Sequence, residues 1–400
     1  MRTLETAIQK LPRRLPVQKS GTAFRFFDNR EKYLMFVTTC SEKWVIAKRL
    51  SKELRHISPV SNALYLFDAG LGDGTVLSHV MRALHRRFTH VPWVVVGKEI
   101  SMEDVRLSLG KMADRFCEHP ELVFVITNLK YKEAPTLMPS PPSTSEDLNW
   151  HEMALEGDTS EEFEQQIRTL NSKVTHGWQV KTVGKSGNLA YVRPSVVILY
   201  RKDREFTVGP LIPQPGKFVG AYDLIIASQP YRARVAAEFK VMNVLAPLAK
   251  AIAPGGRMVA IQSCGRDPGM EIVNRIWPDE NPFSDGRQKL LNLTKDYLCS
   301  PDNRNLRYLD HSDKHARFRY HLHTMPSEVQ RNIGTSTGLA AWNAAIYVAQ
   351  IEDKRLEQAL EKSNYLDIAR EVVFKHGGLW FNDEAFVIAR PRTKHAIAGQ

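Results

Sequence analysis

The chain has 400 residues, 43% of them hydrophobic and 25% charged, and its 55 Lys and Arg outnumber 44 Asp and Glu for a net charge of +11. That balance excludes a disordered or fibrous chain, and the length allows a large core with additions to it. No apolar run approaches the roughly 20 residues that cross a bilayer, so no membrane partner is expected.

The basic excess is uneven. Residues 1–56 hold 13 Lys and Arg against 5 Asp and Glu, which marks residues 1–31 as a basic N-terminal arm. Such an arm either follows a phosphate backbone or is a solvated face with a tail. The second reading is favoured, and nucleic acid stays an open partner. Arg2, Lys10, Arg13 and Arg14 flank no apolar segment, unlike a secretory signal. Cys40, Cys117, Cys264 and Cys299 make no C-x-x-C pair, which suits reduced thiols in a cytoplasmic protein rather than disulfides or a zinc site.

In chain order, Lys32–Cys40 reads as a short β-rich run. Ser41 is the expected N-cap of a helix from Glu42 to about Arg55, with Trp44, Val45, Ala47, Leu50 and Leu54 at helical spacing. The stretch Leu64–Leu77, LYLFDAGLGDGTVL, is the one around which the chain is organised. Leu64-Tyr65-Leu66-Phe67 suits a buried strand, Asp68 comes next, and Gly70, Gly72 and Gly74 stand at every second position before a helical pattern through Val80, Met81 and Leu84. A strand, a glycine turn and a helix N-terminus bring backbone N–H groups against a nucleotide-like ligand, and a Cβ in the turn blocks both positive φ angles and close approach. The spacing is neither G-x-G-x-x-G nor G-x-x-x-x-G-K-[ST]. D-x-G-x-G-x-G resembles motif I of the class I S-adenosyl-L-methionine (SAM)-dependent methyltransferases. In that family the loop wraps the amino-acid half of a cofactor without phosphate, and a helix just ahead of the first strand often covers the cofactor. By that resemblance Thr38-Thr39-Cys40-Ser41 lie near its methionine end.

The second strand is Trp93–Val96. Glu99 comes after it at the C-terminal end, where an acid in a doubly wound sheet accepts both hydroxyl hydrogens of a ribose; the competing reading is a surface Glu at the start of the helix Ser101–Cys117. After the third strand, Leu122–Thr127, Thr127 and Asn128 stand where the family holds the adenine amino group, and the Asn128 amide can pair with an adenine edge. Residues 131–217 then intervene, first Pro/Ser-rich, then an acidic helical segment (Ser160–Val174) and two β-rich runs, Ala190–Tyr200 and Glu205–Leu211. Insertions of this length carry specificity, a lid or a partner surface, and this one is read as the substrate-recognition element.

The fourth strand, Tyr222–Ala227, leads into Ser228-Gln229-Pro230-Tyr231. Amino-group methyltransferases carry [DN]-P-P-[YF] here, so the resemblance assigns acceptor contact to Ser228, Pro230 and Tyr231. Ser and Gln in place of Asp/Asn and Pro leave both N and O acceptors open, and a plain strand-to-helix turn is the bland alternative. A helix (Val235–Ile252), a P-G-G turn and a fifth strand (Arg257–Gln262) succeed it. Next come a helix over Asn281–Leu298, a strand over Ala316–His323, helices Gly338–Ala349 and Leu356–Phe374, and a last strand, Trp380–Ala389. His321 and His323 share a strand face but lack further nearby ligands, so no metal is expected. His311, His315 and His376 are conceivable bases, though satisfied surface or core histidines explain them better.

The expected fold is α/β: a doubly wound, mostly parallel seven-stranded sheet with an antiparallel edge hairpin and an α+β insertion between strands 3 and 4. The methyltransferase-like domain spans residues 32–130 and 218–400. The resemblance implies SAM as cofactor, bound by Asp68, Gly70, Gly72, Gly74, Glu99 and Asn128, and a methyl acceptor that is a small molecule, a protein or RNA. The altered acceptor turn also admits a catalytically silent, SAM- or nucleotide-binding scaffold, and the basic arm an RNA- or ribosome-modifying enzyme.

Overall fold

The computed structural model describes residues 30–392 except 60, 142, 144–145, 184–187, 304, 324–333 and 363, so residues 1–29 of the basic arm lie outside the described residues. The apolar runs form the centre of a sheet. Leu64–Asp68 (β1), Trp93–Lys98 (β2) and Leu122–Thr127 (β3) are followed by Asn149–Leu155 (β4), Val180–Val183 (β5), Asn188–Tyr191 (β6) and Ser195–Arg201 (β7). Tyr222–Ser228 (β8), Ile252–Ser263 (β9), Arg307–Leu309 (β10), Arg317–His321 (β11) and Trp380–Ala389 (β12) complete the set. The main sheet runs β10-β12-β9-β8-β1-β2-β3-β7-β4, with β11 also paired to β12. β3, β2, β1, β8 and β9 are mutually parallel and β12 is antiparallel to β9. β2 and β3 are buried at every position, as strands covered by helices on both faces must be.

The sheet has ten strands rather than seven. β10 and β11 share the outer edge of β12, one along each half of it. The insertion does not stand apart: β7 pairs antiparallel with β3, and β4 lies parallel to β7. Without β7 the wholly apolar β3 would be an exposed edge, the arrangement most prone to mispairing. β7 itself, SVVILYR, is buried throughout.

Two local expectations are overturned. Arg30–Thr39 is a helix, not a strand. Its Val and Thr residues favour strands, but Phe36 packs into a core shared with the helix Thr335–Val348, and tertiary burial outweighs local preference. Thr38 and Thr39 return their hydroxyls to the Leu34 and Met35 carbonyls (2.8 and 2.6 Å). Glu205–Leu211 is a pair of short helical turns. Phe206 is 99% exposed, so no strand face is being buried there. Two expected helices are also divided: Ser101–Cys117 into Met102–Gly110 and Met112–Glu118, and Leu356–Phe374 into Asp353–Lys362 and Tyr365–His376.

Two cores fill the two faces of the sheet. A third joins the helix Arg30–Thr39 to Pro268–Ile276, Thr335–Val348 and Tyr365–His376, with Tyr320 of β11 and Phe381 of β12. The insertion returns to the sheet through Gly220, whose φ is +64° and whose Cβ, if present, would lie 1.9 Å from the Pro135 carbonyl oxygen. That oxygen also accepts the buried Tyr222 hydroxyl at 2.8 Å, so it cannot move freely. Gly220→Ala is expected to cost about 2–4 kcal/mol, read as a lower urea midpoint at unchanged slope. No described helix is long and apolar enough to cross a membrane.

Candidate functional site

β1 has β2 on one side and β8 on the other, and this reversal of strand order opens a crevice beyond the strand ends. Asp68 ends β1, Glu99 comes just after β2, and Ser228 ends β8. All three line one cavity of about 330 Å³, within the usual range for a small-ligand site.

The glycine turn forms its floor. Gly70 and Gly72 line the cavity, Gly72 with a φ of +53°. Gly74 does not line it. With a φ of +77°, it caps the helix Thr75–His85, and a Cβ there would sit 2.9 Å from the Ser108 Cβ. Its role is packing the turn against the helix Met102–Gly110, so direct ligand contact by Gly74 is corrected. Lys43 and Thr75 hold the turn through Asp73, at 2.6 and 2.8 Å. Burial raises the Asp73 carboxyl, but these partners outweigh it and leave it at about 2.

Asp68 is 1% exposed. Its Oδ1 accepts the Gly70 N–H at 3.1 Å, while its buried Oδ2 has no partner. Burial pushes this carboxyl up to about 7 despite the Gly70 N–H, with the Glu99 charge adding to the shift. Glu99 is a hub rather than a surface residue. Its Oε2 accepts the Gly72 N–H (2.8 Å), and its Oε1 accepts those of Ile100 (2.7 Å) and Ser101 (2.8 Å). Beside it Lys98 lies 4.7 Å over the Tyr131 ring. Burial lowers the Lys98 pKa while Glu99 opposes the shift.

Ser228, Pro230 and Tyr231 also line the cavity, the Ser228 carbonyl lying against Gly70. The Pro230 carbonyl accepts the Tyr131 hydroxyl at 2.7 Å, and the Tyr231 hydroxyl donates to Gln262 Oε1 at 3.0 Å. Gln229 holds a φ of +46°, rare outside glycine. Its amide donates to Ser263 Oγ (3.1 Å) and Asp383 Oδ2 (3.4 Å), and these bonds offset the strained backbone.

Asn128 is not in the site. It is 1% exposed, its amide nitrogen donates to the Gly177 and Arg193 carbonyls (both 2.9 Å), and its Oδ1 accepts the Ser195 N–H at 2.8 Å. With those groups engaged it fastens the insertion to β3, and the expected adenine contact is corrected. Thr38–Ser41 also miss the cavity; Glu42 and Lys43, just beyond, reach it instead. Ser41 exchanges hydrogen bonds with the His321 backbone. His311, His315 and His376 line nothing there, and among the described residues no group of three His, Cys, Asp or Glu is placed to hold a metal.

Several lining residues carried no signal in the sequence. Tyr33, Phe36, Glu42 and Lys43 come from the first two helices, Tyr320 from β11, and Tyr347 and Gln350 from the end of the helix Thr335–Val348 and the turn after it. Five carboxylates (Glu42, Asp68, Asp73, Glu99 and Asp104) meet three cations (Lys43, Lys98 and Arg232) in the lining.

The sheet order, the reversed strand β12 and the crevice beside β1 define a Rossmann-like, doubly wound α/β fold. No protein-family profile and no curated protein sequence matches the chain. Among solved structures, a geranyl diphosphate methyltransferase in complex with GPP and sinefungin aligns at 12% identity and a TM-score of 0.32, over 84% of this chain and 76% of that one. PKMT2 from Rickettsia typhi in complex with AdoHcy aligns at 12% identity and 0.27, over 87% and 53%. The rRNA methyltransferase aviRa from Streptomyces viridochromogenes does so at 16% and 0.23, over 54% and 72%. Overlaps this loose assign neither ligand nor activity.

Proposed function

We propose that the chain is a SAM-dependent methyltransferase that binds its cofactor in this cavity and methylates an N or O acceptor held beside the Ser228–Tyr231 turn. The observation that carries the reading is Asp68 Oδ2, a buried carboxylate oxygen with no partner beside a glycine turn open to a ligand. Such an atom calls for a cation or a strong donor. SAM brings an ammonium and a sulfonium, whereas a pyrophosphate would face a lining rich in carboxylates. Asp68 would hold the ammonium, the Gly70–Gly72 backbone the chain next to it, and Glu99 the ribose. Lys43, already paired to Asp73, is placed to meet a carboxylate.

When bound, SAM supplies an electrophilic methyl group. This chain's own work is alignment and exclusion of water. Gln229 fixes the acceptor turn through Ser263 and Asp383, and Tyr131 ties that turn to the insertion. Of residues 131–217 only Tyr131 lines the cavity among the described residues; Trp178 braces it from behind, donating its indole N–H to the Glu99 carbonyl at 2.8 Å.

The test is a thermal shift with SAM, S-adenosylhomocysteine, NAD and ATP, because a ligand that binds only the folded state raises its midpoint. SAM and S-adenosylhomocysteine are expected to shift it and the other two not. Gly72→Val, which places a branched side chain at a left-handed φ facing the cavity, is expected to abolish the shift. A response that survives in this variant counts against the site.

A further inference from the structure

The cavity runs from the glycine turn to residues of β11 and the end of the helix Thr335–Val348, and that far end has its own chemistry. Glu42 reaches the lining and takes no hydrogen bond or ion pair among the described residues. Asp383 lies behind the lining, wholly buried, its side chain bonded among the described residues only by neutral donors, Ser263 Oγ at 3.0 Å and the Gln229 amide at 3.4 Å. Neither acid has a cationic side chain in an ion pair with it. Tyr320 lines the same end, is 0% exposed, and its hydroxyl has no partner.

Aromatic rings close the chamber. Phe36 stands 4.8 Å from Tyr347 and 6.0 Å from Tyr320, centroid to centroid, and all three line the cavity. Ring faces together with a carboxyl that no ion pair compensates attract an organic cation, and the attraction strengthens as water is excluded. We propose that this chamber is the acceptor subsite and takes a small protonated amine, its nitrogen set between Glu42 and Tyr320 under the Phe36 and Tyr347 rings. The inference rests on the methyltransferase reading and narrows its acceptor to nitrogen.

Protonation fits the assignment. Burial raises both carboxyls, Glu42 to about 7 and Asp383 well above the carboxylate range, the Glu42 charge adding to the latter. Lys43 and Asp73 also bear on Glu42, the first lowering and the second raising it. A Glu42 carboxylate can therefore take one proton from an arriving ammonium, giving a carboxylic acid and a neutral amine with its lone pair free. One N–H bond breaks, one O–H bond forms, and total charge is unchanged.

The experiment is a thermal shift of the full chain, with and without saturating S-adenosylhomocysteine. The probes are methylammonium chloride and tetramethylammonium chloride, with tert-butanol and KCl at equal concentration as controls. Both cations are expected to raise the midpoint above both controls. Glu42→Gln should abolish that rise while the response to S-adenosylhomocysteine persists. Tyr320→Phe should weaken methylammonium, which has N–H groups to donate, and spare tetramethylammonium, which has none. If Glu42→Gln does not fold, the Tyr320→Phe difference between the two cations carries the test. Cations no better than the controls, or a rise unchanged in these variants, overturns the inference. A missing response to S-adenosylhomocysteine counts instead against the cofactor reading, so the two failures are distinguishable.

Discussion

At pH 8 the Asp68→Asn variant is expected to melt higher than the native chain and to lose its response to SAM. The native carboxyl is raised to about 7 by burial, from an ordinary value of 3.8. A folded-state value above the unfolded one means that the folded chain holds the proton more tightly. The stability this contributes is complete below about pH 4 and is lost as pH rises through about 7. By pH 8 the free protein carries a buried charge costing up to about 4 kcal/mol. Asn removes that charge and keeps an acceptor for the Gly70 N–H. Its own buried NH₂ costs about 1–3 kcal/mol, so the net gain is up to roughly 1–3 kcal/mol. At pH 5 the order should level or reverse. Melting curves at pH 5 and 8, with and without SAM, check both halves; a variant that is less stable at pH 8 or still responds to SAM would refute the assignment.

Glu99→Gln should have the opposite effect, weakening fold and binding together. Glu99 accepts three backbone N–H groups, from Gly72, Ile100 and Ser101. An amide has one oxygen for all three, and its NH₂ then faces one of these donors. Leaving that donor unpaired costs about 1–3 kcal/mol. The Gly72 side of the turn loosens, and the acceptor position that Oε2 keeps for a ribose hydroxyl is lost. SAM affinity is expected to fall roughly 100-fold, equivalent to about 2.8 kcal/mol, in a calorimetric titration run beside urea unfolding. Unchanged affinity would mean that Glu99 only braces the turn.

The parts of this site that the sequence exposed are those in which one short segment does the whole task. Leu122–Thr127 and Trp380–Ala389 are strands with the expected limits, because each carries a run of apolar and aromatic residues with breakers close outside its ends. The glycine turn is read from seven consecutive residues, and Glu99 from its place after a strand. The far end of the cavity has no such local signature. Glu42, Tyr320, Tyr347 and Asp383 meet only through tertiary packing, and no spacing rule links residues hundreds of positions apart. Asn128 misled because an amide that suits an adenine edge suits three backbone groups equally well. The strand character of Lys32–Cys40 failed for a related reason: Phe36 finds its burial against residues near the other end of the chain.

That last contact also orders events during synthesis. Tyr33 and Tyr347 lie 6.1 Å apart, and the Asn343 amide donates to the Lys32 carbonyl at 2.9 Å. The covering wall is thus made by an early helix and a late one. On the ribosome the glycine turn emerges long before the helix that completes its enclosure, and until then Phe36 has no lasting cover. A nascent chain halted before Tyr347 would expose a half-built crevice to chaperones and would retain ligand poorly, so occupancy of the crevice reports that translation has passed that point.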